Sequence, residues 1–251
     1  MTCPGLRGAI RRFVKAIRLL RVADYRAAAL HGVAAAIEHE AILRELRRTL
    51  HPRLVIDVGA NVGQFSVAVR HCIPDARIIA FEPLEPAASR FARLFAGQPG
   101  VGLHKCAIGP LRARQSMHVS KAADSSSLLA IGDNQTRVFP GTGESHREWV
   151  DVAPLSDFIT AADMPQPVLL KIDTQGYELK VLAAAEAVLP HISAVYVECA
   201  FIPFYQGQPL AHEVIDWLHV RGYRLRYVHA AARDPRGLTV QADLLFTSVG
   251  D

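Results

Sequence analysis

The residues with chemistry to offer stand at the ends of short apolar runs. Leu54 to Val58 is a β-branched run with Asp57 as its one polar member, and Gly59, Asn61 and Gly63 follow at alternate positions before an apolar-periodic segment opens at Phe65. Asp57-x-Gly59-x-Asn61-x-Gly63 reads as a strand, a tight turn and a helix start. In an open α/β sheet, ligands sit in the crevice beyond the carboxyl ends of the strands, where glycine lets backbone approach them closely. Glu82 ends the next apolar run, 19 residues after Gly63, where an acid can accept hydrogen bonds from both hydroxyls of a ribose. Asp173 follows the apolar run 167–172, and Glu198 follows 194–197. Either carboxylate could serve as a base or orient a hydroxyl, with Asp173 first and Glu198 second. Asp173 could equally cap the helix that starts near Tyr177 or bind a ligand's amine. A divalent cation between the two would need a third ligand that the sequence does not offer, so no metal is expected.

The turn also bears on which nucleotide is bound. A dinucleotide site uses Gly-x-Gly-x-x-Gly, whose second glycine makes room for a pyrophosphate, and Asn61 stands in that place. S-adenosylmethionine has no phosphate. Its cationic sulfonium and zwitterionic tail suit Asp57 and the turn's backbone groups better than a phosphate cradle would. An NAD(P)-linked oxidoreductase and a catalytically silent nucleotide-binding protein stay open as alternatives.

Other polar residues are weaker candidates. His71, His104, His118, His191 and His219 fall in or beside regular elements, where a locally satisfied imidazole is the ordinary case. His146, in an irregular stretch, and His212, near the strand-end crevice, are better placed to act as a base. Ser126, Ser127 and Tyr177 are candidate acceptor contacts. Phe201, Phe204 and Tyr205 read either as a wall for a sugar or acyl group or as plain core.

The elements that must position these residues alternate between strand and helix from residue 53 onward, which implies a parallel sheet. Strands are expected at 54–58, 77–81, 101–106, 115–119, 149–153, 167–172, 194–197, 223–228 and 243–247. Helices are expected from residues 63, 85, 155, 177 and 212. Residues 120–147 lack periodicity and read as a long acceptor-side loop. Ahead of the sheet, 5–50 reads as two helices. The first is basic and amphipathic over 8–21; it would either rest on anionic lipid or pack against the body or a second copy in a homodimer. The second spans about 27–50 and ends before Pro52. The domains are then a helical extension, 1–50, and a ligand-binding body, 51–251.

Composition sets the bounds. The chain has 251 residues, half of them hydrophobic, and a net charge of +4. Residues 1–50 hold ten Lys and Arg against four Asp and Glu, leaving 18 basic and 20 acidic residues for the rest. A body without basic excess is a poor nucleic-acid reader. Four cysteines without Cys-x-x-Cys spacing suggest neither zinc nor a disulfide framework. No apolar run approaches the ~20 residues that span a bilayer, and a cytoplasmic protein, at most peripheral to the inner membrane face, is expected.

Taken together, Ile56 to Gly63, Phe81-Glu82-Pro83, Ala107-Ile108-Gly109, Ser126-Ser127-Leu128, Leu170 to Glu178 and Val181-Leu182 resemble the successive motifs of FkbM-type methyltransferases. The resemblance covers roughly residues 50–230. It implies a class I methyltransferase fold, Rossmann-like, with a mostly parallel sheet and helices on both faces. It also implies S-adenosylmethionine as methyl donor and O-methylation of a hydroxyl on a sugar, glycolipid or natural product. Carried over by position, Asp57, Gly59, Ala60, Asn61, Gly63 and Phe65 would surround the methionine part, Glu82 and Pro83 the ribose, and Cys106 and Ala107 the adenine. Gln175 departs from the family, which more often has Glu there, and so weakens any role that needs a charge at that position.

Overall fold

The structure, a computed structural model, describes residues 21–249. All of the 8–21 stretch except Arg21 lies outside the described residues, and with it the expectation of lipid or partner contact.

The strands are β1 (Leu54–Val58), β2 (Arg77–Phe81), β3 (Val101–His104), β4 (Ala107–Ile108), β5 (Ala113–Ser120), β6 (Glu144–Ala153), β7 (Val168–Ile172), β8 (Ala194–Ala200), β9 (Tyr223–Arg233) and β10 (Thr239–Ser248). Seven of them form one sheet in the order β3-β2-β1-β7-β8-β10-β9. β1, β2, β3, β7 and β8 run parallel, and β10 is antiparallel to both its neighbours. The order reverses between β1 and β7, the switch point where α/β sheets bind ligands.

Apolar residues alternate across β1 because both sheet faces are covered. Leu54, Ile56 and Val58 join one core with Leu170, Val197 and Leu182, while Val55 joins another with Phe65, Leu43 and Tyr196. The covering helices are α1 (Ala23–Leu30), α2 (Glu40–Thr49), α3 (Gln64–Cys72), α4 (Glu85–Leu94), α5 (Asp133–Val138), α6 (Glu178–Ala184) and α7 (Ala211–His219).

Several expectations are corrected. The helix expected over 27–50 is two helices, because Gly32, at φ 70°, ends α1. Its N–H bonds Ala29 O at 2.9 Å, and Val33 N–H bonds Ala28 O at 3.0 Å, a Schellman cap that satisfies carbonyls the helix end leaves open. Residues 33–36 then run without regular structure into a 3₁₀ turn, Ile37–His39, before α2. The expected helix near 155 is two 3₁₀ turns, Leu155–Asp157 and Ala161–Asp163. Residues 101–106 divide between β3 and the approach to β4, which belongs to a second sheet of order β4-β6-β5. Residues 120–147 are not one open loop: they contain α5 and the first residues of β6, whose partner β5 fixes it by long-range pairing.

One row of the main sheet is polar. Asp57, Lys171 and Tyr196 are register partners across β1, β7 and β8, and Glu198 pairs with Asp243 on β10. Burying such a row is costly unless its members satisfy one another.

Candidate active site

The turn after β1 is shaped by contact as much as by conformation. A Cβ on Gly59 would lie 1.9 Å from the Asp173 carbonyl oxygen, so only glycine lets the ends of β1 and β7 meet. Asn61 takes the left-handed conformation, φ 48°, which Asn tolerates better than most residues, and its N–H donates to Glu82 Oε2 at 2.9 Å. Gly63 has a different role: its Cα faces the Phe91 and Phe95 rings, and it does not line the crevice.

These residues open onto a cavity of about 370 Å³. Gly59, Ala60, Asn61, Phe65, Glu82, Pro83, Cys106 and Ala107 line it, as expected from sequence. Leu84 N–H donates to Glu82 Oε1 at 2.9 Å, so each carboxylate oxygen is oriented by one backbone donor and keeps lone-pair capacity for a further hydroxyl. Burial pushes the Glu82 carboxyl up to about 7 against those two donors. Cys106, Ala107, Met117 and Leu128 form an apolar wall beyond it. Burial raises the Cys106 thiol to about 11, and its Sγ donates to Ala107 O, a packing role.

Asp57 differs from its expected place. It is fully buried and does not line the cavity. Its Oδ2 accepts from Ser66 Oγ at 2.7 Å, and Lys171 Nζ lies 3.3 Å from its Oδ1. Lys171 also donates to Gly59 O at 3.2 Å and lies 3.6 Å from Asp173 Oδ2. Burial alone would lower the Lys171 ammonium, but the charges of Asp57 and Asp173 outweigh it and raise it. Asp57 therefore fixes Lys171 and the turn, and lies behind the cavity lining.

Asp173 does line the cavity. Gln175, held at φ 56°, donates from Nε2 to Asp173 Oδ1 at 2.8 Å and to Glu198 Oε2 at 2.6 Å. Tyr205 donates to Gln175 Oε1 at 2.9 Å. The amide thus stands between the two carboxylates where a cation would otherwise bridge them. Among the described residues, no group of three or more His, Cys, Asp or Glu could hold a metal. Glu198 lies behind Gln175, outside the cavity lining, and burial, then the charge of Asp173, raises its carboxyl well above the ordinary range. The turn before α6 is satisfied by Glu178, whose Oε1 accepts from Gly176 N–H at 2.9 Å. Asp173 is thereby freed from the capping role.

Ser126 and Tyr177 line the cavity, whereas Ser127 is buried beside it and donates to Gln175 O at 2.7 Å. His212 is exposed near the start of α7, and His146 is exposed on β6; neither reaches the cavity. Phe204 and Tyr205 are buried core and Phe201 is exposed, all three away from the lining. Sequence reasoning missed Ala34, Ala36, Glu38 and His39, which the break after α1 brings to the cavity wall. The readable signal was Gly32, set directly after a helical period. It also gave no weight to Lys171, a lone cation in an apolar strand.

The lining holds four carboxylates, Glu38, Glu82, Asp124 and Asp173, against Lys171 as its one Lys or Arg. That balance suits a sulfonium and opposes a pyrophosphate. Glu82 fits a ribose, the apolar wall fits an adenine, and the acidic end by Asp173 fits the ammonium of a methionine tail. When bound, S-adenosylmethionine supplies an activated methyl group, and these residues would hold and orient it.

Methyltransferase 1 of Beauveria bassiana is 29% identical over 140 residues, 51% of this chain and 56% of that protein. The chain thus spans little over half the length of this relative. The 2-O-methyltransferase NoeI of Sinorhizobium fredii is 23% identical over 173 residues, 66% of this chain and 70% of that protein. Among solved structures, magnesium protoporphyrin IX methyltransferase of Synechocystis PCC 6803, with bound SAM, aligns at TM-score 0.43 and 10% identity over 84% of this chain and 80% of that one. Residues 57–225 match the Methyltransferase FkbM domain. That match takes in the turn, Glu82, Asp173 and the strands of the switch point, and by it the chain belongs to the FkbM methyltransferase family, class I in fold and dependent on S-adenosylmethionine.

Proposed function

We propose that the protein is an O-methyltransferase acting on a hydroxyl of a sugar, glycolipid or natural-product acceptor. The observation that carries this reading is a single cavity whose lining includes Glu82 and the apolar wall together with Asp173, Tyr177, Ser126 and His39. Donor and acceptor can therefore share one cavity, and placement of two reactants can lower a barrier by on the order of 7–11 kcal/mol. The acidic lining favours an acceptor without phosphate or carboxylate near the reacting hydroxyl. The name of NoeI, a 2-O-methyltransferase, supports oxygen as the methylated atom. Asp173 would hold the donor's ammonium or the acceptor hydroxyl by charge. The basic amphipathic pattern of 8–21 supports a lipid-linked acceptor held near a membrane surface.

The test is incubation of the full chain with methyl-labelled S-adenosylmethionine and a panel of neutral glycosides, glycolipids and polyketide alcohols. Label recovered as a new O-methyl group is the expected result. Transfer only to nitrogen or carbon would overturn oxygen as the target. Flotation with anionic vesicles, before and after removal of residues 1–20, checks the membrane contact; unchanged flotation would contradict it.

A further inference from the structure

We propose that His39 is the base that accepts the proton of the acceptor hydroxyl, with Tyr196 and Asp243 as positioning residues. The inference rests on the O-methyl transfer reading above and assigns a residue to its proton.

His39 ends the 3₁₀ turn between α1 and α2 and lines the cavity with Asp173. Its Nδ1 lies 2.8 Å from Tyr196 Oη, and Tyr196 donates to Asp243 Oδ2 at 3.1 Å. A phenol has one proton. Burial raises the Asp243 carboxyl to about 7; in its carboxylate form it accepts the hydrogen bond of that proton, and the Tyr196 oxygen can then only accept from the imidazole, so Nδ1 carries hydrogen and Nε2 keeps its lone pair. No hydrogen bond among the described residues engages Nε2. Edge-on contacts with the Phe65 ring, at 5.5 Å, and the Tyr196 ring, at 5.6 Å, hold the imidazole plane. The arrangement is that of a base oriented by a second group, which is in turn oriented by a carboxylate.

Asp173 is less suited to take the proton. Its Oδ1 already accepts from Gln175, and its Oδ2 faces the Lys171 ammonium. In the transfer, the acceptor oxygen bonds to the methyl carbon, the carbon–sulfur bond breaks with its electron pair left on sulfur, and the hydroxyl proton passes to Nε2. The sulfonium becomes a neutral thioether and the imidazole becomes a cation, so the positive charge stays within the acidic lining. The charged or titratable groups facing His39 are Glu38 from its own turn, Lys171 and Asp173 from β7 and just beyond it, Tyr196 from β8, His229 from β9 and Asp243 from β10. Burial dominates among these influences and lowers the imidazole to about 4, which leaves it neutral at pH 7.

The test is a long-range ¹H–¹⁵N correlation spectrum of the full chain labelled in histidine, alone and with S-adenosylmethionine or S-adenosylhomocysteine, with His39→Gln to assign the signal. The expected result is hydrogen on Nδ1 and none on Nε2 at pH 7, with a higher protonation midpoint in the homocysteine complex, where the sulfonium is absent. Hydrogen on Nε2, or an imidazolium at pH 7 in the S-adenosylmethionine complex, would overturn the assignment. Tyr196→Phe should mix the two tautomers and lower kcat while leaving KM nearly unchanged. With an acceptor from the panel above, His39→Gln should bind S-adenosylhomocysteine within about twofold of wild type yet lose about 10²-fold or more in turnover; wild-type turnover would refute the role. A spectrum unmoved by either ligand would instead sink the donor reading, a result distinct from a wrong tautomer.

Discussion

Glu82 is the residue whose loss should most weaken donor binding, because it is both buried and oriented by two backbone donors. Glu82→Ala should weaken S-adenosylhomocysteine binding by about 1.5–3 kcal/mol, the range for hydrogen bonds to a charged group; unchanged affinity in a calorimetric titration would mean that it does not touch the ribose. Its raised pKa adds a pH dependence. In the folded chain burial raises the carboxyl from its ordinary 4.5 to about 7, so its protonated form favours the fold below 4.5 and that contribution is lost as pH rises through 7. Ribose hydroxyls donate to the carboxylate form. Affinity should therefore fall as pH drops below 7, by up to about tenfold per unit, and Glu82→Gln should flatten the profile between pH 5 and 8. At Gly59, an alanine would put its Cβ 1.9 Å from the Asp173 carbonyl. Gly59→Ala should thus abolish donor binding and lower the melting temperature, and a variant with wild-type melting and affinity would contradict the close approach. Asp57, Gly59, Asn61, Glu82 and Asp173 were all legible in the sequence as special, each standing where an apolar run ends. The role of Asp57 was not, because its partner Lys171 comes from a strand more than a hundred residues away.

At the scale of elements, β1, β2, β7 and β8 could be read from their apolar runs. A run buried on both faces needs no partner to be recognised, only its flanking turn. The α1 to α2 segment and the β4-β6-β5 sheet were read wrongly or in part. In the first, an Ala-rich helical pattern hid a break that one glycine and its cap determine. In the second, β6 begins in polar residues 144–148 that become a strand only by pairing with β5. The segment carrying His39 is secured by α2, whose Leu43 is fully buried among Val55, Phe65 and Val69. Leu43→Ala should cost about 2–5 kcal/mol, as core truncations do, measured as a shift in the urea midpoint. A cost under about 1 kcal/mol would mean that α2 is not anchored in the core. Ala34, Ala36, Glu38 and His39, just ahead of α2, line the cavity, so the chain before β1 and the strand ends build it together.

At the scale of the molecule, a chain of net charge +4 encloses an acidic cavity, and its positive surplus sits in the first 50 residues. The acidic lining suits a cationic donor. Among the described residues no helix is long and apolar enough to cross a membrane. Ligand binding should be visible in global stability: S-adenosylmethionine at about 100 times its Kd adds about 2.7 kcal/mol, which raises the Tm of a domain of this size by roughly 5–10 °C, and an unmoved Tm at saturation would speak against a site in the folded core. The most direct measurement of the methyl-donor site is isothermal titration of the full chain with S-adenosylhomocysteine and, separately, with NADH. Saturable heat with S-adenosylhomocysteine, diminished in Glu82→Ala, and none with NADH is the expected result; saturable NADH binding without a response to S-adenosylhomocysteine would contradict it.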